Sequence, residues 1–444
     1  MRRREQAMLR IPPRVAMIEK FSHDARGIAR IDGKTTFIQG ALPGETVFFK
    51  YTQKKKGFDE GYLLSVISPS PDRVEASCPH YALCGGCSLQ HLRADVQIQV
   101  KQEQLVDLLQ HVGRVEPLSI MPPLVANHWH YRGKARFSVR FIEKNKTVVI
   151  GFRERQKPEY ITAMTQCPVL DVRTEPLMRA LPAFIQTMDE PDKIPQIEVA
   201  VGDDGIALII RHLNVFSETD KDRLRYFAKT LSVRLFLQPT GIQSVHLFYP
   251  EEGDELLTYT LLRQQLTFQF HPTDFTQVNA ALNQAMVTQA LAWLALTPED
   301  IVLDLFCGLG NFSLPMAKLC ARVIGAEGSA TMVARARMNA QANGLTNTVF
   351  ECINLDQETG LFALSAKQAN VVLLDPPRTG ALTLVKQIER INPLRVLYVS
   401  CDSATFARDA AVLVHEKGYR LLKVGVMDMF PHTAHVEVMA LFQK

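Results

Sequence analysis

The order of apolar and polar positions predicts distinct regions along the chain. In residues 14–68 the two kinds of position alternate and turn signals such as Asp32-Gly33 interrupt them, so we predict a small antiparallel barrel of short strands. Residues 68–73, with the sequence SPSPDR, are typical of a linker. A helical period follows over residues 94–112 and predicts an amphipathic helix.

The rest of the chain changes from strands to alternating strands and helices. Several apolar runs between residues 131 and 265 predict a mixed β domain. From about residue 280, near-continuous apolar strands alternate with helices, which predicts a mostly parallel sheet covered on both faces and ligands at the strands' carboxyl ends. We therefore expect three domains: an OB-like barrel in residues 1–72, a central mixed β domain in residues 73–265, and a Rossmann-like α/β domain in residues 266–444.

Basic residues are concentrated at the start of the chain. The 444 residues carry a net charge of +4, yet residues 1–62 hold 13 Lys and Arg against 7 Asp and Glu. Such a local positive field favours a polyanionic partner such as nucleic acid, although a solvated terminus has the same composition.

Apolar runs and the N-terminal composition argue against membranes and export. No apolar run reaches the roughly 18 to 20 residues of a membrane span, and the Arg-rich start meets Pro12 and Pro13 before any secretory segment develops. We expect a soluble cytoplasmic protein with no membrane partner and no obligate protein partner.

The cysteines predict a metal site rather than a disulfide framework. Three of the eight form a C-x5-C-x2-C cluster, Cys78, Cys84 and Cys87. Cys167 is the cysteine outside the predicted α/β domain that can supply a fourth ligand, and His80 and His91 are nearby alternatives. Four thiolates can hold zinc or an iron–sulfur cluster, and spacing alone leaves both open.

The run VLDLFCGLGNFS predicts a nucleoside-binding turn between a strand and a helix. Gly308 and Gly310 let the backbone approach a ligand, and Glu327 at the end of the next strand can accept hydrogen bonds from a ribose. Ser313 stands where a dinucleotide fingerprint has its third glycine, and Asp304 lies inside the strand. The pattern favours S-adenosylmethionine (SAM), with NAD or an unliganded turn between helix and strand as the alternatives.

Two polar residues follow neighbouring predicted strands near the C-terminus. Asp375 can orient a cofactor amine or a substrate base, or cap a helix. Cys401 follows the next strand, where a lone cysteine is more often core. Its polar neighbours, however, predict a helix N-terminus, which lowers the pKa of a thiol. Cys307 in the cofactor turn is the competing nucleophile.

A thiolate, a carboxylate and SAM together indicate methylation of a pyrimidine carbon. His435 and Glu437 enter the final predicted strand and can supply a base. Carbon 5 of uracil becomes nucleophilic only after a thiolate adds at carbon 6. We therefore predict Cys401 as the nucleophile and Glu437 as the acceptor of the carbon 5 proton.

Seven motifs together carry a family resemblance, and they are RGIARIDGKTTFIQGALPGETV, CPHYALCGGCSLQHL, FTQVN, DLFCGLGNFS, DPPRTG, YVSCDSATFARD and FPHTAHVE. In these motifs the chain resembles the SAM-dependent RNA uracil-5-methyltransferases, in particular the type that acts on 23S ribosomal RNA. The resemblance covers nearly the whole chain. It implies an N-terminal TRAM barrel and a C-terminal class I methyltransferase domain.

The resemblance also implies the residues of the sites. It implies six cofactor-binding residues, Gln277, Phe306, Asn311, Glu327, Asn354 and Asp375. It supports Cys401 and Glu437 as the catalytic pair. It favours a [4Fe–4S] cluster on four cysteines, Cys78, Cys84, Cys87 and Cys167. One departure is Asp402, where the family commonly carries Asn, and its charge is expected to raise the pKa of a neighbouring thiol.

The implied partner is a single-stranded or looped region of 23S rRNA, because the target uracil must leave its stack. The barrel offers aromatic and basic groups for such a strand, Phe21, Phe37, Phe48, Phe49 and Lys54 to Lys56, with at most two of the phenylalanines exposed. Residues 128–137, HWHYRGKARF, predict either a second RNA surface or an ordinary strand. The alternatives are the same reaction on another rRNA uridine or on tRNA, or a non-catalytic RNA-binding assembly factor.

Overall fold

A computed structural model describes residues 11–355 and 368–444. Its first element is a six-stranded sheet with the order β1-β5-β6-β4-β3-β2. The strands are β1 (Arg14–Met17), β2 (Lys20–Phe21), β3 (Gly27–Ile31), β4 (Lys34–Gln39), β5 (Thr46–Lys54) and β6 (Phe58–Ser68). The predicted barrel strands are confirmed, but the expectation of purely antiparallel pairing is wrong at one place. Strand β6 returns beside β4 after the β5–β6 hairpin, so β4 and β6 run parallel.

A helix and a two-residue strand follow the barrel. Helix α1 (Ala94–Leu108) continues into a π-helical turn at Leu109–Gly113, which confirms the predicted helix. Its buried face includes two polar side chains, Gln97 and Lys101. Strand β7 (Ser119–Ile120) comes next.

The central region is a mixed sheet, as the sequence predicts. Its strand order is β10-β9-β8-β11-β12-β13-β14, with β12 parallel to β13. The strands are β8 (Lys134–Ile142), β9 (Thr147–Arg153), β10 (Ile161–Ala163), β11 (Gln196–Gly202), β12 (Gly205–Arg211), β13 (Arg234–Gln238) and β14 (His246–Tyr249). The helices α2 (Glu175–Gln186) and α3 (Glu218–Thr230) contribute to its core. A hairpin of β15 (Leu257–Leu261) and β16 (Leu266–Phe270) leads into the last region.

The C-terminal region is an eight-stranded sheet with the order β19-β18-β17-β20-β21-β23-β22-β7. Its strands are β17 (Ile301–Leu305), β18 (Arg322–Glu327), β19 (Thr348–Cys352), β20 (Val371–Leu374), β21 (Arg395–Ser400), β22 (Arg420–Met427) and β23 (Glu437–Gln443). Its helices are α4 (Ala280–Leu294), α5 (Ser313–Ala317), α6 (Ala330–Ala342), α7 (Leu382–Lys386) and α8 (Ser403–Ala411). Strands β17 to β21 run parallel, whereas β23 is antiparallel to both of its neighbours.

Apolar side chains fill both faces of this sheet. Successive residues of β20 alternate between two hydrophobic clusters: Val371 and Leu373 belong to one, and Val372 and Leu374 to the other. A strand buried on both sides needs the continuous apolar sequence from which it was predicted. The Rossmann-like α/β prediction is therefore confirmed.

Helix α1 and strand β7 pack with the C-terminal sheet. Strand β7 runs parallel to β22, with Ser119 opposite Lys423, and α1 packs against α8. Both elements lie within the predicted central domain of residues 73–265, whose bounds stay a prediction. Among the described residues, no helix is long and apolar enough to cross a membrane.

Candidate active site

Strand ends bring a thiol and a carboxylate together. Strands β21 and β23 are antiparallel, and the last pair in their register is Ser400 with Val438. One step further along the same register places Cys401 opposite Glu437. Asp375 follows β20, the parallel neighbour of β21, so its carboxyl reaches the same edge of the sheet.

A cavity of about 560 Å³ lies at this edge, within the range of about 300 to 1,000 Å³ usual for ligand sites. Seven of the eight residues predicted for cofactor binding or catalysis line it: Gln277, Phe306, Asn311, Glu327, Asp375, Cys401 and Glu437. Asn354 is exposed just beyond β19 and is not among the described residues around the cavity. The structure thus brings together all of the predicted set except Asn354.

The turn after β17 has the backbone that the glycines suggested. Gly308 and Gly310 both have positive φ angles, and a Cβ on Gly310 would lie 2.5 Å from the side chain of Leu314. The Gly308 amide donates to Glu327 Oε2 over 3.2 Å. Phe306 also adopts a positive φ of 66°, an uncommon conformation for a residue with a side chain.

Ser313 stands where a dinucleotide fingerprint has its third glycine, and its hydroxyl has a hydrogen-bond partner. The hydroxyl donates to Asp304 Oδ2, and both residues are fully buried. The other carboxyl oxygen of Asp304 has no hydrogen-bond partner among the described residues. Burial raises the pKa of Asp304 to about 7, and the nearby Asp375 and Glu327 add to the rise.

Asn311 is held by two side chains from other elements. Its Oδ1 accepts from the Tyr259 hydroxyl over 3.0 Å and from the Asn283 amide over 2.9 Å, and its own amide donates back to Asn283. Tyr259 lies on β15 and stacks on Phe268, with ring centroids 4.8 Å apart. Sequence reasoning missed Tyr259, since nothing in its local pattern distinguishes it from a strand residue.

The electrostatics of the catalytic pair differ from the prediction. Burial raises the pKa of the Cys401 thiol to about 11, and Glu437 and Asp375 raise it further. The net shift is therefore upward, opposite to the lowering that the helix N-terminus led us to expect. Burial also raises the pKa of Glu437 to about 8 and that of Asp375 to about 7. Arg378, which also lines the cavity, lowers the pKa of both Cys401 and Glu437.

Asp402 caps the helix that follows the nucleophile. Its side chain accepts hydrogen bonds from the backbone amides of Ala404 and Thr405 over 3.0 and 2.9 Å. The predicted helix N-terminus is thus present, with Asp402 as its N-cap. An asparagine could serve this position equally well, because both side chains offer an acceptor oxygen.

Helix α8 also holds the loop that carries Arg378. The Thr405 hydroxyl donates to the Arg378 carbonyl over 3.1 Å. The buried Asp409 accepts from the Ala381 amide and from the Tyr398 hydroxyl, each over 2.7 Å. These contacts join helix α8 to the DPPRTG segment and to the residue that follows it, and they hold the backbone of Arg378.

The remaining cysteines of this domain lie in different surroundings. Cys307 lines the cavity but is almost fully buried, and burial raises the pKa of its thiol well above the usual value. Cys320 is also buried, whereas Cys352 is exposed at the end of β19.

Comparisons with known proteins agree with this geometry. A family model described as tRNA (Uracil-5-)-methyltransferase matches residues 93–444, and a TRAM domain model matches residues 16–63. The chain belongs to the uracil-5-methyltransferase family. Its catalytic cofactor is therefore SAM, and its barrel is a TRAM domain.

Individual relatives of this uracil-5-methyltransferase cover the whole chain. A Legionella pneumophila protein named 23S rRNA (uracil(1939)-C(5))-methyltransferase RlmD is 54% identical, and the match covers 100% of both chains. A Hahella chejuensis protein of the same name is 46% identical over 96% of each chain. A Pyrococcus abyssi tRNA (uracil-54, C5)-methyltransferase, solved in complex with S-adenosyl-L-homocysteine, has a TM-score of 0.74 and 22% identity. That match covers 97% of this chain and 100% of the other and shows the same fold.

The four predicted cluster ligands line a second cavity of about 280 Å³: Cys78, Cys84, Cys87 and Cys167. Burial raises the pKa of Cys87 to about 12, and the other three thiols add to the rise. The Arg155 guanidinium donates to the carbonyl oxygens of Cys84 and Cys87. The alternative ligands are not among the described residues around this cavity, and the ring of His91 instead contacts the Tyr81 hydroxyl.

The four thiols share one cavity. Within residues 11–355 and 368–444, no three or more His, Cys, Asp or Glu side chains form a group arranged to hold a metal ion. The metal group on these cysteines therefore stays a prediction.

Residues 128–137, predicted as a second RNA surface or an ordinary strand, are partly buried. Tyr131 is buried, and the Lys134 ammonium donates to the carbonyl oxygens of Pro272 and Asp274. Trp129 stacks on His432, with ring centroids 3.9 Å apart. The ordinary-strand alternative is confirmed for Lys134 to Phe137, which begin β8, whereas the RNA surface stays a prediction.

The exposure of the barrel's phenylalanines agrees with the prediction. Phe49 is buried, while Phe21, Phe37 and Phe48 are half-buried, so no more than two are exposed, as expected. Lys54 to Lys56 are exposed.

Proposed function

We propose that this uracil-5-methyltransferase transfers a methyl group from SAM to carbon 5 of a uridine in 23S rRNA. The single observation that carries the proposal is the meeting of Cys401, Glu437 and the SAM-binding turn at one cavity. The choice of RNA follows relatives named for uracil 1939 of 23S rRNA, which match the full chain at 54% identity. Such an enzyme works where ribosomal RNA is made, so we place it in the cytoplasm.

The reaction begins with Cys401. Its thiolate adds to carbon 6 of the uracil, and the electrons of the 5,6 double bond move towards the carbonyl oxygen at carbon 4 to give an enolate. SAM supplies the electrophilic methyl group, and carbon 5 takes it as the bond between that methyl and the sulfonium sulfur breaks. The uracil is then saturated at carbons 5 and 6 and covalently bound to Cys401.

Glu437 completes the reaction. Its carboxylate removes the proton from carbon 5, the electrons of that bond re-form the double bond, and the Cys401 thiolate leaves. The pKa of Glu437 near 8 makes it a stronger base than an ordinary carboxylate. Arg378 stabilises the two anionic groups, because it lowers the pKa of both the thiol and the carboxyl.

Cofactor binding is assigned to the residues around the glycine turn. Glu327 would accept hydrogen bonds from the ribose, and Asp375 would contact an amine of SAM or the uracil ring. Asn311 retains one amide hydrogen for a ligand, since its other polar positions bind Tyr259 and Asn283. The positions of Gln277 and Phe306 in the cavity lining support the same role, whereas Asn354 lacks that support.

The test uses 23S rRNA that contains 5-fluorouridine, together with SAM. Fluorine at carbon 5 cannot leave as a proton, so a covalent protein–RNA adduct should accumulate, and its digestion should locate the linkage on Cys401. Cys352→Ala is the matched control, because that cysteine is exposed. If the adduct formed on tRNA rather than on rRNA, the assigned substrate would be wrong. If the protein bound RNA but formed no adduct, it would be an assembly factor rather than an enzyme.

We further propose a [4Fe–4S] cluster on the four thiols of the second cavity. Cys78, Cys84, Cys87 and Cys167 would hold it, and it would brace the segments that they join rather than turn over electrons. Protein purified without oxygen should contain iron and sulfide and absorb broadly in the visible range. Cys87→Ser should lose that absorption while Cys320→Ser keeps it, and zinc in place of iron would refute the assignment.

RNA binding is assigned to the barrel. Lys54 to Lys56 are exposed beside Tyr51 and Phe58, and the ammonium of Lys54 lies 4.4 Å from the ring of Tyr51. Neutralising these lysines should weaken rRNA binding and reduce its dependence on salt.

A further inference from the structure

Residues 428–436 connect β22 to β23 and run between the two cavities. Thr433 lines the cysteine cavity. Four residues later Glu437 begins β23 and lines the active-site cavity. The connection therefore leads directly from the cysteine cavity to the proposed base, which is paired with Met427 at the start of β23.

The segment that follows the cluster cysteines holds this connection by its backbone. The amides of Ser88 and Leu89 both donate to the carbonyl oxygen of His432, over 2.8 and 2.9 Å. From the other side, the hydroxyl of Tyr131 donates to the carbonyl oxygen of Pro431 over 3.1 Å. Tyr131 also lines the cysteine cavity, so the same side chain contacts both the connection and this cavity.

Helix α1 adds a second set of contacts through its buried polar face. The Oε1 of Gln97 accepts from the His432 amide over 2.9 Å, and its Nε2 donates to the carbonyl oxygens of Leu89 and Leu92. One turn further on, Lys101 forms an ion pair with Asp428 over 2.6 Å, and both side chains are about 1% exposed. The connection is thus held at its start and at its middle.

His432 has a conformation that only such contacts maintain. Its φ is 65°, in the left-handed region that a residue with a side chain seldom adopts. Its ring is buried and stacks on Trp129. The surroundings therefore determine the path of the chain at His432, five residues before the base.

We propose that Tyr131, Gln97 and His432 are positioning residues for Glu437, and that through them the cysteine-rich segment sets the place of the base. The inference rests on the proposed function, in which Glu437 removes the carbon 5 proton. Because that step follows addition and methyl transfer, a displaced base should slow release of the RNA and leave formation of the adduct unchanged.

The experiment measures these two steps separately in Tyr131→Phe, which removes one hydroxyl from the interior. Adduct formation with 5-fluorouridine rRNA should match that of the wild-type protein. With ordinary rRNA, release of the methylated adduct should slow by roughly fivefold to tenfold, the effect of one hydrogen bond. Tyr226→Phe is the control, because that tyrosine is 75% exposed on α3. Iron content per chain should be equal in all three proteins.

His432→Asn is the second variant, because asparagine tolerates the left-handed conformation but cannot stack in the same way on Trp129. It should show the same selective delay in release. Equal release in both variants and the wild type, or an equal slowing of formation and release, would overturn the inference. Failure of the wild-type protein to form any fluorouridine adduct would instead overturn the proposed function.

Discussion

Burial raises the pKa of a thiol in each cavity, Cys401 in one and Cys87 in the other, yet their surroundings differ. In the active-site cavity Cys401 lies beside the carboxyls of Glu437 and Asp375 and one guanidinium, that of Arg378. The smaller cavity is lined by four thiols together with Arg132 and Arg136, and no carboxyl is among the described residues that line it. Burial alone therefore does not distinguish a reactive thiol from a ligand thiol.

The groups around each thiol distinguish a reactive thiol from a ligand thiol. A thiolate beside an acid is costly except while a substrate shares its electrons, which suits transient bonding to a ring. Four thiols around one cavity can all ionise only when cations neutralise them, which fits the proposed metal group. Four experiments can test or refine this contrast.

The largest effect is expected from Cys401→Ala. Without the thiol, carbon 5 of uracil has no route to the enolate, so methylation should fall by roughly a thousandfold or more. Transfer of tritium from methyl-labelled SAM to rRNA measures it. Cys307→Ala tests the competing nucleophile. If this variant formed no adduct although Cys401 is intact, Cys307 rather than Cys401 would be the nucleophile.

Glu437→Gln should separate the two halves of the reaction. The amide cannot accept the carbon 5 proton, so release should slow by roughly 100- to 10,000-fold while the methylated adduct accumulates. Denaturing gels of protein with radiolabelled rRNA show this species. Rapid release in the variant would mean that a different group is the base.

Asp428→Asn should destabilise the region between the cavities. It leaves Lys101 buried without its counter-charge, at a cost of about 3 to 5 kcal/mol in the free energy of unfolding. Denaturant titration measures it. The control is Glu143→Gln, because Glu143 pairs with Lys146 at the surface, where both side chains are more than 70% exposed and a pair is worth at most about 1 kcal/mol.

The smallest effect concerns pH. Glu437 acts as a carboxylate, and its pKa of about 8 means that the active form increases as pH rises. Adduct release should therefore speed up by about tenfold between pH 7 and 9. Quench-flow measurements of the release rate across this pH range test the prediction. Arg378→Gln should move the midpoint of the pH dependence to higher pH. A rate that falls with pH would contradict the assigned protonation state.

The sequence predicted the active site best where a strand is buried on both faces of the sheet. The apolar runs before Asp375 and Cys401 could only be buried parallel strands, whose carboxyl ends share an edge, so the meeting of these residues was predictable. The antiparallel return of β23, which places Glu437 opposite Cys401, adds a pairing that no local pattern specifies.

Other features depend on contacts between distant segments. Tyr259 reaches Asn311 from a hairpin 52 residues earlier, and Lys101 meets Asp428 across 327 residues. The pKa of Cys401 was predicted in the wrong direction because helix polarity can be read from sequence whereas burial cannot. The parallel pair β4–β6 was missed for a similar reason, since closure of the barrel decides it.

The pairing of β7 with β22 has a consequence for dissecting the protein. Residues 118–124 cover the outer margin of the C-terminal sheet through backbone contacts with Leu421, Val424 and Val426. A truncated product that starts at residue 266 would lack them and present a bare row of amide and carbonyl groups, to which another copy could add. Excision should therefore begin before helix α1, near residue 93, if the isolated piece is to remain dispersed.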